Sequence, residues 1–334
     1  MDMADAILDV ADLPEPDGEA RALAAAREAV LTKPAGALGR LEEVTAHLCA
    51  WQGRHPPRLE RVEIHVFAGR HGVTAQGVSA YPASVTDQMV RNFRDGGAAI
   101  NQLARQAGAR LAIHDPFRHW TTGDWSEKEA MDRAEIATAL AAGARAVGEE
   151  ADLIAVGEMG IGNTATAAAV CAALFGGRGA EWCGAGTGLD AEGVRRKAEV
   201  IDRGLARHAA RLDDPREVLR VLGGFELAAM AGCILEARRR RVPVILDGFV
   251  AGAAAAVLFR LEPKAIEHCL AGHVSAEHAH RALLGRLKLT PLLDLDMRLG
   301  EASGAALAIQ VVRAAVACHA GMASFDDAGV DGRL

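Results

Sequence analysis

Residues 151–177 read ADLIAVGEMGIGNTATAAAVCAALFGG. Asp152 to Val156 is a short apolar run of the kind that forms a buried strand, and it breaks into three glycines, Gly157, Gly160 and Gly162. Asn163 or Thr164 is placed to cap a helix whose body, Ala165 to Leu174, is almost all alanine and small apolar residues; Gly176-Gly177 end it. A strand, a glycine loop and a capped helix in this order aim free backbone N–H groups and the positive end of a helix dipole at one point, which suits a phosphate. Glu158 lies inside that loop. A carboxylate beside an anion cradle is repulsive unless it serves another part of the ligand, such as sugar hydroxyls. A tight turn with an exposed acid uses the same residues without any ligand.

Working outward, the same order recurs. Arg61 to Ala68 alternates and then runs apolar as a strand ending in Gly69, and a polar loop follows through Gly77-Val78-Ser79-Ala80-Tyr81-Pro82. A helix from about Ser84 then places Val85, Gln88, Met89 and Asn92 on one side. Tyr81 is the single tyrosine of the chain and falls where open α/β sheets put their ligands, beyond the carboxyl end of a strand. Ala109 to Asp115 is a second strand, His114 to Lys128 an aperiodic loop or lid, and Ser126 to Gly148 an alanine-rich helix. Downstream, Trp182 to Asp190 is another glycine-rich loop, and the helix after it carries Arg195, Arg196 and Lys197. Lys197 is placed to reach an anion, or else belongs to a solvated cationic face. Further strands are expected at Val242–Leu246, stopped by Asp247-Gly248-Phe249, and at 266–271. The basic run Arg238 to Arg241 closes a helix, where positive charge suits the dipole.

Alternation of strand and helix predicts an α/β fold: three layers with a mostly parallel, Rossmann-like sheet over residues 60–290. The helical patterns near both ends, Ala20 to Gln52 and Leu293 to Ala317, predict a small helical domain built from residues 1–59 and 291–334. Within the second, Glu301 stands beside Gly300 at the mouth of a long apolar helix. Such an acid is often only a partner of the helix dipole, but if partly buried its pKa would rise towards neutrality and it could act as a general base.

Composition excludes several classes. With 334 residues, 50% of them apolar, and a net charge of −7 without long runs of one sign, the chain reads as an enzyme-sized globule rather than a binder of nucleic acid or anionic membrane. No uninterrupted apolar span or charged-then-apolar leader is evident, so a cytoplasmic protein is expected. The six cysteines are scattered singly, which predicts neither disulfides nor zinc. His273, His278 and His280 lie at spacings that do not bring them to one helix face, and a dinucleotide site fails because Gly184, Gly186 and Gly188 have the wrong spacing and position. No cofactor and no metal are expected.

Taken together, 33–42 (KPAGALGRLE), 66–73 (VFAGRHGV), 77–82 (GVSAYP) with Gln88, 157–164 (GEMGIGNT), Gly186-Thr187-Gly188 with Lys197, 247–249 (DGF), 273–277 (HVSAE) and 298–304 (RLGEASG) closely resemble the nicotinate-nucleotide:dimethylbenzimidazole phosphoribosyltransferase family of cobalamin lower-loop assembly. The resemblance runs from about Arg27 to Ala317. Each motif alone is weak, and eight in the family's order are specific.

The resemblance implies transfer of ribose 5-phosphate from nicotinate mononucleotide to 5,6-dimethylbenzimidazole, with inversion at the anomeric carbon, by a homodimer acting on small molecules. Glu301 matches the family's catalytic glutamate, which accepts the benzimidazole N–H proton. Ser79, Tyr81 and Gln88 match the wall of the base pocket, and Glu158 matches a second acid near ribose and base. Gly160, Gly162, Asn163 and Thr164, with Gly186, Thr187 and Gly188, match the nucleotide and phosphate cradle, and Lys197 is a phosphate or carboxylate partner. The chain departs from the pattern at Arg70, where an aspartate is expected, and at Ala165, Ala185 and Ala302, which leaves the acceptor base open. A catalytically silent nucleotide- or base-binding protein of the same fold is the alternative.

Overall fold

The computed structural model describes residues 3–331. Six strands, β1 (Val62–Ala68), β2 (Arg110–His114), β3 (Leu153–Met159), β4 (Val244–Leu246), β5 (Cys269–Val274) and β6 (Pro291–Asp294), form one sheet in the order β2-β1-β3-β4-β5-β6. Every neighbouring pair is parallel. This is the expected three-layer α/β architecture. Strand order reverses between β1 and β3, and the crevice beyond their carboxyl ends is where such a sheet binds its ligand.

Two-residue periodicity sorts the strand side chains between the faces. Val62, Ile64 and Val66 of β1, with Leu153 and Ala155 of β3, pack under a layer that includes the helices Arg40–Gln52, Ala99–Ala107 and Ser303–Gly321. Phe67, Ile154 and Val156 face the opposite layer, formed by Arg133–Ala146, Asn163–Phe175, Phe225–Arg239 and Phe249–Leu261. The small residues there have a purpose. Helices 133–146 and 225–239 approach so closely that a Cβ on Gly143 would sit 1.7 Å from the carbonyl oxygen of Ala229.

Several sequence expectations shift. Glu158 is on β3 rather than in the loop after it, because β3 keeps pairing with β1 through Phe67↔Glu158 and Ala68↔Met159. The cap of the next helix is Gly162, in the left-handed region at φ 94°, and neither Asn163 nor Thr164. The helix expected from Ser126 starts at Arg133, behind an Asp132–Glu135 capping box. The strand expected at 266–271 lies at Cys269–Val274, since Pro263–Ile266 forms a 3-10 turn. The aperiodic 114–128 segment is not simply a surface loop: Trp125 is fully buried and its indole N–H donates to Thr166 Oγ1 at 3.0 Å.

At the ends, residues 291–294, assigned by sequence to a terminal helical unit, complete the sheet as β6, and Ala4 and Leu8 join the main core. The N- and C-terminal segments meet where Leu31 bridges Ser324 and Arg27 donates to the carbonyl of Met322. Helix Ser303–Gly321 is long and apolar enough to cross a membrane by length and composition alone. It packs on the sheet instead, and its Gln310 and Arg313 bond the carbonyls of Gln106 and Ala107.

Candidate active site

A cavity of about 600 Å³ opens at the carboxyl ends of β3, β4 and β5. One wall comes from the segment after β1: Tyr81, 54% exposed at the mouth, then Val85 and Met89 one helical turn apart. The floor is Glu158 to Thr164, and Gly186-Thr187 approaches from the side. Gly248 to Val250, His273, Ser275 and Glu277 follow from the ends of β4 and β5, and the segment Arg298 to Glu301 closes the far side.

Glu301 is 4% exposed and sits in the left-handed region, φ 62°, as does Ala302 after it. Two consecutive non-glycine residues in that region cost energy and mark a turn held by its surroundings. Here the backbone N–H of Glu301 donates to the carbonyl of Glu158 at 3.0 Å, and Ser303 Oγ donates to the carbonyl of Gly300 at 2.6 Å. β3 makes room for the turn with Gly157, where a Cβ would lie 2.2 Å from the nitrogen of Ala302. Among the described residues Glu301 Oε2 has no hydrogen-bond partner.

Three acids share this buried region, and each is held well above the carboxylate range. Burial, with the nearby Asp247 carboxylate adding to it, raises Glu301 to about 7. Asp247 is pushed to about 7 by burial even though backbone N–H groups at the start of helix 303–321 donate to it, that of Ala305 at 3.0 Å. Glu158 rises to about 8, from burial first and then from Glu226, Asp247 and Glu301, against a hydrogen bond donated by Asn163 Nδ2. Burial and the neighbouring acids thus favour the protonated form of Glu158.

Of the two cations beside the cavity, Lys197 is buried and Arg298 is exposed. Lys197 is wholly enclosed and is not part of a solvated face; its ammonium donates to Thr164 Oγ1 at 2.8 Å and to the carbonyl of Gly184 at 3.3 Å. Burial lowers its pKa and Glu277 partly restores it. Arg298 donates to the carbonyl of Gly186 at 2.9 Å, tying the 186–188 turn to the segment that carries Glu301.

Of the residues singled out by sequence, Tyr81, Glu158, Gly160, Asn163, Thr164, Gly186, Thr187 and Glu301 line one cavity. Gly162 and Lys197 do not line it but adjoin residues that do, Lys197 through Thr164; Gly188 is exposed and lies outside the lining, as does Ser79, its hydroxyl 3.1 Å from that of Thr187. Gln88 is exposed and does not line the cavity; Val85 and Met89 of the same helix do. Sequence reasoning read Asp247 only as a strand terminator, although it caps a helix that starts at Ser303. Among the described residues no three His, Cys, Asp or Glu side chains form a group able to hold a metal ion. His280 Nδ1 instead meets the backbone N–H of Ser275 at 2.8 Å.

The comparisons with known proteins agree over the whole of this architecture. A family model described as phosphoribosyltransferase matches residues 13–330. The nicotinate-nucleotide–dimethylbenzimidazole phosphoribosyltransferase of Mesorhizobium japonicum is 56% identical over 319 residues, which are 96% of this chain and 95% of that protein. The protein of that name from Brucella anthropi is 52% identical over 323 residues, 97% of this chain and 95% of the other. A crystal structure of the Thermus thermophilus protein with that activity in its name superposes with a TM-score of 0.86 at 43% identity, covering 95% of this chain and all of that one. By the extent of these matches, and by the motifs that gather around one cavity, this chain belongs to the nicotinate-nucleotide:dimethylbenzimidazole phosphoribosyltransferase family.

Proposed function

We propose that this protein transfers the 5-phosphoribosyl group of nicotinate mononucleotide to 5,6-dimethylbenzimidazole or a similar base, releasing nicotinate and forming α-ribazole 5′-phosphate. The observation that carries the reading is Glu301: a buried carboxylate with an unpartnered oxygen and a pKa near neutrality, in the cavity that also holds the glycine turns. One ring nitrogen of the acceptor attacks the anomeric carbon as the bond to the pyridinium nitrogen breaks, and the bonding pair returns to that nitrogen. The proton on the acceptor's other nitrogen passes to Glu301, so the newly attached base ring is left without a positive charge. Because the departing ring nitrogen starts as a pyridinium cation and is left neutral, with the carboxylate unchanged, expulsion needs no metal to bear a developing charge.

The phosphate is assigned to the turn before helix 163–175, where Thr164 is held by the buried Lys197 ammonium. In this reading Glu158, whose protonated form burial favours, donates a hydrogen bond to the ribose or base. Lys197→Met should raise the KM for nicotinate mononucleotide by about tenfold or more, the scale of a lost charge-assisted bond, and leave the KM for the base within about twofold. Initial rates at varied donor and acceptor concentrations read both; equal changes in the two constants would remove Lys197 from the phosphate site. A homodimer and a cytoplasmic setting belong to the same proposal and rest on the family resemblance.

Chromatography of a mixture of protein, nicotinate mononucleotide and dimethylbenzimidazole tests the reaction. Equimolar nicotinate and α-ribazole 5′-phosphate are expected. Binding of both substrates without release of nicotinate would instead favour a silent binding protein.

A further inference from the structure

We propose that Arg70 is a positioning residue that sets the width of the acceptor-base side of the cavity. This rests on the phosphoribosyl-transfer reading above, for it concerns the wall that the base would meet. Arg70 follows the end of β1 and touches no part of the cavity itself. Its guanidinium, 10% exposed, reaches two carboxylates: Nε donates to Asp87 at 2.9 Å, while Nη1 and Nη2 donate to Asp115 at 2.8 and 3.2 Å. Asp115 is almost fully enclosed, so its pair with Arg70 is anchored at the end of β2. The Arg70 carbonyl is also fixed, accepting from the N–H of Thr122 at 3.0 Å.

Asp87 is the other end of the clamp. It lies in the first turn of helix Val85–Asp95, between Val85 and Met89, the two apolar side chains that this helix presents to the cavity. Thr86 pins the same turn from the opposite side, accepting from the N–H of Ile161 in the glycine loop at 3.1 Å. The Val85–Met89 stripe is therefore held between two bonds, one to the nucleotide floor through Thr86 and one to the sheet edge through Asp87 and Arg70. A planar heteroaromatic base lying between this stripe and the Leu299–Glu301 segment opposite would feel the second bond as the spacing of its slot. Arg70 is a bidentate, always-charged fork that matches two carboxylates at once, a geometry lysine does not reproduce.

The test compares wild type with Arg70→Ala, Arg70→Lys, Asp87→Ala and the Arg70→Ala/Asp87→Ala double variant. For Arg70→Ala the KM for 5,6-dimethylbenzimidazole should rise about fivefold or more. The KM for nicotinate mononucleotide should stay within about twofold and kcat within about threefold. Preference for the dimethylated base over unsubstituted benzimidazole should shrink, and Arg70→Lys should fall between. The double variant should be no worse for the base than Arg70→Ala alone, because both substitutions break one connection. A merely structural role would raise both KM values together or lower kcat alone. That result, an unchanged acceptor KM, or full additivity would each overturn the proposal. Calorimetric titration with the base alone separates this from the transfer reading: a wild type that binds the base but forms no product sinks that reading, while the ratio of base affinities between wild type and Arg70→Ala still decides the role of Arg70.

Discussion

Glu301→Gln lowers turnover by about a hundredfold or more and leaves both substrates bound within a few-fold of wild type. The substitution keeps the volume and one hydrogen-bonding oxygen, so the turn held by Glu158 and Gly300 should survive; it removes only the capacity to take a proton. Rate and binding must therefore separate, which rapid-quench kinetics and equilibrium titration measure independently. The shift that fits Glu301 for proton transfer also acts on folding. Its pKa moves from an ordinary 4.5 to about 7 in the folded chain. Between these values the folded chain holds a proton that the unfolded chain has released, so this group's contribution to stability declines as pH rises through the window. Urea denaturation at pH 5 and pH 8 should show a smaller loss for Glu301→Gln than for wild type.

Gly157→Ala should cost comparable activity by a different route. A Cβ at this position would lie 2.2 Å from the nitrogen and 2.5 Å from the Cα of Ala302, both backbone atoms with no rotamer to adopt. Either β3 or the Glu301–Ala302 turn must move. β3 pairs along its whole length with β1, Gly157 opposite Val66, and through Ile154–Val156 with β4, so the turn gives way. Overpacking of this kind costs about 1–3 kcal/mol of stability, and a carboxylate misplaced by about 1 Å costs on the order of a hundredfold in rate. Gly18→Ala is the control, since nothing lies within 4 Å of its added Cβ and the residue opens a helix far from the cavity in sequence. Thermal unfolding and turnover, measured on both variants, should show two losses for Gly157→Ala and none for Gly18→Ala.

Much of this was legible in the chain because it is local. A β-strand running into Gly157, Gly160 and Gly162 and then into an alanine-rich helix can be read from neighbours a few residues apart, and the structure keeps that order with the boundaries moved by a few positions. The eight motifs likewise pointed to one family. What the sequence hid was long-range. Nothing near Asp247 tells that it accepts from Ala305, 58 residues on, or that its carboxylate adds to the proton affinity of Glu301. The inward side of helix 85–95 was readable as a stripe containing Val85, Gln88 and Met89. Only tertiary placement decides that Met89 lines the cavity while Gln88 faces out. The sixth strand was hidden because four residues, PLLD, carry no period that separates them from the helical segment after them.

That Glu301 accepts the proton of the acceptor base during transfer is tested most directly by the pH dependence of single-turnover product formation, run on wild type and Glu301→Gln together. Since only the ionised carboxylate can serve, the wild-type rate should climb about tenfold per pH unit from below and level off near pH 7, while the variant runs flat and about a hundredfold lower. A Glu301→Gln protein that keeps a near-normal rate with the same inflection would contradict the assignment.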